Sequence, residues 1–141
     1  MRNRTLIETA KILIVNDDPD DAKVNHAFAR ACGWKAEATE LSGILYKRKR
    51  GDVTDIRWAE ELDYCHNIQL IIDEMAEGWI DQQIGRNFNT ETWETAISHW
   101  HDGSPHHLSH VHGDNRHRVF MLAVLVAKEM EAANAKFTIQ P

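Results

Sequence analysis

Histidine is concentrated in one stretch of the chain, residues 98–118. Seven of the nine histidines lie there: His99, His101, His106, His107, His110, His112 and His117. Imidazole is the commonest metal ligand in proteins, and it titrates near neutral pH. Two histidines separated by one residue lie on the same face of a β-strand. His99 with His101 and His110 with His112 could therefore supply a three- or four-nitrogen site for Zn²⁺, Ni²⁺ or Cu²⁺.

Two other interpretations suit the same residues. One is a solvated polar hairpin that picks up metal incidentally, and the other is a face that binds a ligand or an anion. Hydrolytic chemistry would need an open coordination position and a general base, for which Asp102 or Asp114 could serve. No His-Glu-x-x-His or Cys-x-x-Cys motif accompanies the histidines, so the sequence leaves all three interpretations open.

The elements that carry these residues can be read from the spacing of apolar side chains. Residues 92–101 alternate in the period-2 pattern of a strand. Asp102-Gly103 then provides a hairpin signal, because Gly tolerates the positive φ of the turn. A second strand is predicted over residues 106–112. Gly113 ends it, Asp114 is a suitable N-cap, and the apolar run that follows predicts a helix over residues 115–130.

The start of this last helix adds a site for anions. Helix N-termini bind anions, and aromatic rings stack on nucleotide bases. The residues predicted to bind a small anionic ligand of nucleotide type combine the hairpin and the helix start: Trp93, His99, Trp100, His101, Arg116, His117 and Arg118. The residues predicted to bind a metal, as the alternative, are His99, His101, His110 and His112.

The first half of the chain contains further predicted elements. Residues 4–15 fit either a helix or a short buried strand. Residues 20–32 predict a helix that ends at Gly33. Residues 54–77 show the apolar stripe of the longest helix, with His66 on its apolar side as a core residue. Residues 79–89 are predicted to be a connection.

The only basic run of the chain is Lys47-Arg48-Lys49-Arg50. It is predicted to be a solvated loop. The alternative is a segment that binds phosphates or an acidic partner.

Composition limits the class of protein. With 141 residues, the chain predicts one domain over residues 1–141. A net charge of −6 argues against general nucleic-acid binding. Cys32 and Cys65 are too few for a disulfide scaffold, so a cytoplasmic location is expected. We expect no membrane association, because neither a signal sequence nor a long apolar run is visible.

These observations predict an α+β fold with about three main helices packed on a small antiparallel sheet centred on the 92–112 hairpin. The last helix is apolar nearly all round over residues 119–126. Such a helix is buried in its own core or at a subunit contact. We therefore expect a homodimer or a larger homo-oligomer.

A short stretch of the chain resembles response-regulator receiver domains. Lys11-Ile-Leu-Ile-Val-Asn-Asp-Asp-Pro-Asp-Asp21 is similar to their opening strand and acidic turn, and Ile68-Gln-Leu-Ile-Ile-Asp-Glu-Met75 to their phosphoacceptor strand. The resemblance implies that Asp17 and Asp18 help to hold Mg²⁺ and that Asp73 is phosphorylated. Asn16 departs from the usual acidic pair.

A longer resemblance covers residues 24–130. Val24-Asn-His-Ala-Phe-Ala-Arg-Ala-Cys-Gly-Trp34 resembles the opening helix of small phage and prophage proteins of the ABA-sandwich and NinX type. Val53-Thr-Asp-Ile-Arg-Trp-Ala-Glu-Glu-Leu62 is similar to their second helix. This resemblance implies a non-enzymatic accessory protein, active against host defences, whose partner is a small anionic molecule or a host protein. The basic run and the histidine-rich hairpin depart from the family pattern.

Overall fold

A computed structural model of the protein describes residues 2–38, 43–75, 78–87, 89, 91–101 and 104–133. The chain divides into two compact units, Met1–Leu70 (unit 1) and Ile71–Pro141 (unit 2). Each unit combines helices with a three-stranded antiparallel sheet, so the predicted α+β class is confirmed. That residues 1–141 form one domain stays a prediction.

Unit 1 begins with two helices that contact each other, α1 (Arg2–Val15) and α2 (Asp21–Ala31). The segment that the sequence left open between helix and strand is thus helical. Ile7, Ala10 and Ile14 are buried in α1, and their spacing of three and four places them on one helix face. The receiver resemblance predicted a strand here, whereas the described residues of this segment are helical.

The long helix predicted over residues 54–77 is wrong. Residues Val53–Trp58 form strand β3, and two short 3-10 helices follow, Ala59–Leu62 and Tyr64–His66. Among the described residues of this range, only Ile68–Ile72 is α-helical, as the short helix α3. The β-branched and aromatic residues at alternate positions, Thr54, Ile56 and Trp58, suit a strand. Pairing with a neighbouring strand stabilises this conformation over the helix that the apolar spacing predicted.

The sheet of unit 1 contains β1 (Lys35–Ala38), β2 (Ile44–Arg50) and β3, in that spatial order and all antiparallel. The basic run therefore lies in the central strand, and its prediction as a solvated loop is wrong. The turn between β2 and β3 contains Gly51 at φ +60°, a backbone conformation that Gly adopts without steric cost.

Unit 2 contains the predicted hairpin, as β5 (Thr92–His101) and β6 (Ser104–Gly113). The turn predicted at Asp102-Gly103 lies outside the described residues. Residues Trp79–Asn87 form the strand β4 beside β5, so the predicted connection at residues 79–89 is wrong. The order is β4-β5-β6.

The last helix, α4 (Arg116–Ala133), packs on β5 and β6. The buried sheet face beneath it includes Ile97 and the polar residues Thr95 and Ser109. Ser109 donates a hydrogen bond of 2.8 Å from its hydroxyl to the carbonyl of Ala123 in α4. This bond satisfies a buried hydroxyl at the place where helix and sheet meet.

The apolar centre of α4 is buried on most of its circumference, at these residues: Val119, Phe120, Met121, Ala123, Val124, Leu125 and Ala127. The homo-oligomer expected from this helix stays a prediction. Over the described part of the chain, no helix combines the length and the apolar character needed to span a membrane.

Asp20 is the N-cap of α2, and its carboxylate accepts hydrogen bonds from the backbone N–H groups of Ala22 at 3.0 Å and Lys23 at 3.3 Å. We expect Asp20→Ala to lower the free energy of unfolding by about 1 kcal/mol, because it leaves helix-terminal donors without this partner. Urea denaturation would measure the change. Asp20→Asn is the matched control, since Asn also caps helices, and an equal loss in both variants would contradict the capping role.

Candidate functional site

A cavity of about 350 Å³ lies within unit 1, against α2, β2 and the two 3-10 helices. Cavities that bind small molecules begin at about this size, near 300 Å³. The polar side chains that line it are Asp21, Asn25, His26, Tyr46, Glu60, Asp63 and His66. Carboxylates, imidazoles and a phenol thus converge on one space.

The helix α2 contributes four of the ten residues that line the cavity. Asp21 and Asn25 are four residues apart and lie on one stripe of the helix, and His26 follows about 100° further round. Val24 and Phe28, which are buried, lie on the opposite side of this stripe from His26. The cavity side chains therefore lie on the first turns of α2, beside its buried face.

Asn25 joins α2 to the segment that forms the opposite wall. Its amide donates to the carboxylate of Asp63 at 2.9 Å, and its carbonyl oxygen accepts from the backbone N–H of Cys65, also at 2.9 Å. Between these two contacts, Tyr64 is fully buried and its ring meets that of Phe28 edge-on, with centroids 4.7 Å apart. Polar and aromatic contacts thus hold the Asp63–His66 turn in a single position.

His66 lies at the mouth of the cavity, and its side chain is 64% exposed. Its Nδ1 is 2.9 Å from the carboxylate of Asp63, and its Nε2 is 3.4 Å from that of Asp21. The hydrogen bond and the charge of Asp63 raise the pKa of His66, and Asp21 adds to the effect. Because this pKa is higher in the folded protein, the interaction stabilises the fold below the unfolded pKa. That contribution is lost as the pH rises through the folded pKa.

His26 and Tyr46 form a second pair. The Nδ1 atom of His26 shares a short hydrogen bond with the hydroxyl of Tyr46. Burial lowers the pKa of His26, and the positive charge of Arg30 lowers it further. Burial also raises the pKa of Tyr46, against the opposing effect of Arg30. Both shifts favour the neutral forms of His26 and Tyr46, whereas the shift of the His66 pKa favours its protonated form.

The charges of the cavity are consequently unequal. Asp63 and Asp21 both lie beside His66 and favour the protonated imidazole, and Glu60 adds a third carboxylate. The described lining holds no Lys or Arg and no Ser, Thr or Cys. The arrangement can accept hydrogen bonds from a ligand and can favour positive charge, and it can exchange a proton through His66.

This cavity was not predicted from the sequence. His66 was predicted to be a core residue of a long helix, which is wrong, because it is largely exposed at the end of a 3-10 helix. The spacing Asp63-x-x-His66 and the neighbours Asn25 and His26 were available as local signals. The contribution of Tyr46 depends on the pairing of β2 and had no local signal.

The histidines of the hairpin are distributed over both sheet faces. In the ladder, His99 lies opposite His107, whereas His110 lies opposite Ala96 and His112 opposite Glu94. Residues that oppose each other share a face, and successive residues alternate. His99 is therefore on the face opposite to that of His110 and His112.

Among these residues, His99 is buried and serves packing. Its ring lies edge-on to Trp79, with centroids 5.4 Å apart, and a Cβ atom on Gly78 would come within 2.6 Å of its Nε2. His110 and His112 are exposed. The side chains of His101, His106 and His107 lie outside the described residues.

Within the part of the chain that the structure describes, no group of three or more His, Cys, Asp or Glu residues is arranged to hold a metal ion. The Zn²⁺ or Ni²⁺ site stays a prediction.

The structure brings some of the residues of the predicted anion site together and leaves others apart. The guanidinium of Arg116 lies over the ring of Trp93, with its Cζ atom 5.7 Å from the centroid. Arg86 of β4 lies opposite Trp93 in the ladder, and the sequence prediction did not include it. Arg118 is buried and His117 half-buried.

Trp100 lies at the other end of β5, about 23 Å from Trp93 by the rise of a strand. It donates a hydrogen bond of 2.9 Å to Ser98. Asn115, one residue beyond the predicted Asp114, accepts from the backbone N–H of Arg118 at 3.1 Å, as an N-cap does.

Comparisons with known proteins give no relative. No family model matches the chain, and no curated protein and no solved structure matches it. What the protein does must therefore be argued from the cavity and the surfaces themselves.

The raised pKa of His66 can be tested directly. We expect Asp63→Asn to lower this pKa towards the ordinary histidine value of about 6.5, because the amide keeps an acceptor but removes the charge. NMR titration of the His66 ring protons would measure it. Asp52→Asn, an exposed change outside the cavity, should leave the titration unaltered, and an unchanged pKa in Asp63→Asn would contradict the assigned cause.

Proposed function

We propose that the protein is a non-enzymatic accessory protein that binds a small molecule in the cavity of unit 1. The observation that carries this proposal is the convergence of two histidines with oppositely shifted pKa values on one space. Convergent polar groups with perturbed pKa values are typical of binding sites. The small phage and prophage proteins that the sequence resembles are accessory proteins of this general kind.

The chemistry of the lining selects the ligand class. Three carboxylates, those of Asp21, Glu60 and Asp63, line the cavity together with His66, and the neutral His26–Tyr46 pair lines it as well. A ligand with an ammonium group, or with several hydrogen-bond donors, would be held by charge-assisted hydrogen bonds. An anion would instead face the carboxylates of Asp21, Glu60 and Asp63.

Binding is favoured over catalysis by the roles that the polar groups already have. Cys65, the nearest thiol, is buried and directs its Sγ at the carbonyl of Asp21, 3.8 Å away. The described lining contains no hydroxyl nucleophile of the Ser or Thr type. His66 can carry a proton, but the groups described beside it are the carboxylates of Asp63 and Asp21 and not a nucleophile that it could activate.

Location and assembly complete the proposal. We place the protein in the cytoplasm, which would be that of the host if a phage encodes it, since both cysteines are buried and form no disulfide. A homo-oligomer remains part of the proposal, and its contact would lie outside the apolar centre of α4, since that centre is buried within the single chain.

The ligand class can be tested with simple probes. We expect a linear aliphatic diamine to raise the melting temperature of the protein, and the diol with the same carbon chain to leave it unchanged. Glu60→Gln should weaken diamine binding about tenfold, because it removes a charge-assisted hydrogen bond. Isothermal titration calorimetry would measure the affinity. Asp52→Asn removes the same charge elsewhere in unit 1 and serves as control. Equal effects of diol and diamine, or of the two variants, would contradict the proposal.

A second candidate function is the binding of an anionic ligand of nucleotide type beside Trp93. Arg116 over the ring and Arg86 opposite it in the ladder support this alternative, because a base could stack on the ring while the guanidinium groups hold phosphate.

We expect Arg116→Gln to reduce the affinity for a nucleoside triphosphate about tenfold, because it removes a charge-assisted contact to phosphate. The same change at Arg4 on α1 should have no effect. Fluorescence titration would measure both, and nucleotide binding that is insensitive to Arg116 would contradict the assignment.

A further inference from the structure

The two faces of the sheet in unit 1 differ in what they contact. Side chains alternate along β2, so Tyr46 and Arg48 point to one side and Leu45, Lys47 and Lys49 to the other. Tyr46 is buried and meets His26 of α2. Arg48 lies over the ring of Trp34, 4.3 Å from its centroid, and donates to the carbonyl of Cys32 at 3.0 Å. The centre of this side of the sheet, at Tyr46 and Arg48, is covered, and we call it the covered face.

The other side, which we call the open face, exposes apolar side chains. The ladder places Trp58 opposite Leu45, and Ile56 opposite Lys47. Ile56 is 49% exposed and Trp58 is 41% exposed, and Leu45 between them is half-buried. Strand positions on an open sheet face are usually polar. An apolar group rimmed by charge marks an interaction surface.

The rim of the open face is basic although the chain as a whole carries a net charge of −6. Lys35 lies opposite Lys47 on β1, and Lys49 extends the row on β2. Glu37 is the acidic residue in these positions, and it is paired with Lys47 at 3.0 Å. The basic run of the sequence is therefore divided, with its lysines on the open face and Arg48 on the covered one.

We propose that the open face is a docking surface for a protein partner that presents acidic side chains beside apolar ones. The lysine rim selects negative charge, and the centre of Leu45, Ile56 and Trp58 buries apolar groups, as the cores of protein interfaces do. A single-stranded nucleic acid fits less well. Two of the three central residues are aliphatic, and nucleic-acid surfaces rely on several stacking aromatic rings.

This inference is independent of the proposed small-molecule function, because the open face and the cavity share no residue. Failure of one leaves the other standing. It also gives a partner chemistry to the host-protein interaction that the phage resemblance implies.

The test is a selection of random linear peptides displayed on particles, with the full-length protein as bait. We expect the recovered peptides to be rich in Asp and Glu next to Leu, Phe or Trp. Fluorescence anisotropy of synthetic copies should show affinity that falls as salt rises. Ile56→Gln and Lys49→Glu should each weaken binding about tenfold, as expected for residues at the centre and rim of an interface.

Two matched controls separate the open face from general effects of charge and hydrophobicity. Val53→Gln changes an exposed residue of β3 that lies on the other side of the sheet, and Arg4→Glu makes the same charge reversal on α1. Neither should alter peptide binding. Circular dichroism would show whether all four variants fold.

Three outcomes would overturn the proposal. The first is recovery of no binder, or of peptides without acidic residues. The second is binding of a single-stranded oligonucleotide, and not of peptides, in a manner that depends on Ile56 and Lys49. The third is a dimer of the protein itself, seen by sedimentation, that Ile56→Gln dissociates.

Discussion

The side-chain amide of Asn25 is the contact on which the rest of unit 1 depends. It uses its donor on Asp63 and its acceptor on the backbone of Cys65, so it ties α2 to a segment 38 and 40 residues further along the chain. An amide that satisfies both partners inside a partly buried site costs little desolvation, whereas a residue that satisfied one would leave a polar group unpaired. The placement of Asp63, and through it the protonation of His66, follows from this contact.

Local pattern was sufficient for elements whose partners are near in sequence. The alternation of Trp93, Thr95 and Ile97 predicted β5, and the spacing of Val24 and Phe28 predicted α2. In both cases one buried face determined the period. These elements were sufficient to predict the α+β class. The helix α4 was predicted in the same way, from its own apolar run.

The prediction was wrong where the structure depends on contacts between residues far apart in sequence, or where the same apolar spacing fits both a helix and a strand. Ile56 and Leu62 fit a helical stripe, yet Ile56 lies in a strand because β3 pairs with β2. In the segment that follows, Tyr64 is buried against Phe28. The pairing of the histidines depended on strand register, which a shift between His99 and Trp100 alters. A sequence alone does not specify such a shift. Tyr46 lines the cavity because of the position of β2 in the sheet. No local sequence pattern predicts that position.

The double role of α2 limits how this protein can change over time. One face of the helix holds Val24 and Phe28 in the core, and beside it Asn25 and His26 line the cavity. Inserting or deleting one residue near its start would turn everything beyond that point by about 100°. The core residues and the cavity residues would then both be displaced from the surfaces that they contact. Evolution can substitute side chains here one at a time, but the helix cannot lose or gain a residue without losing both functions at once.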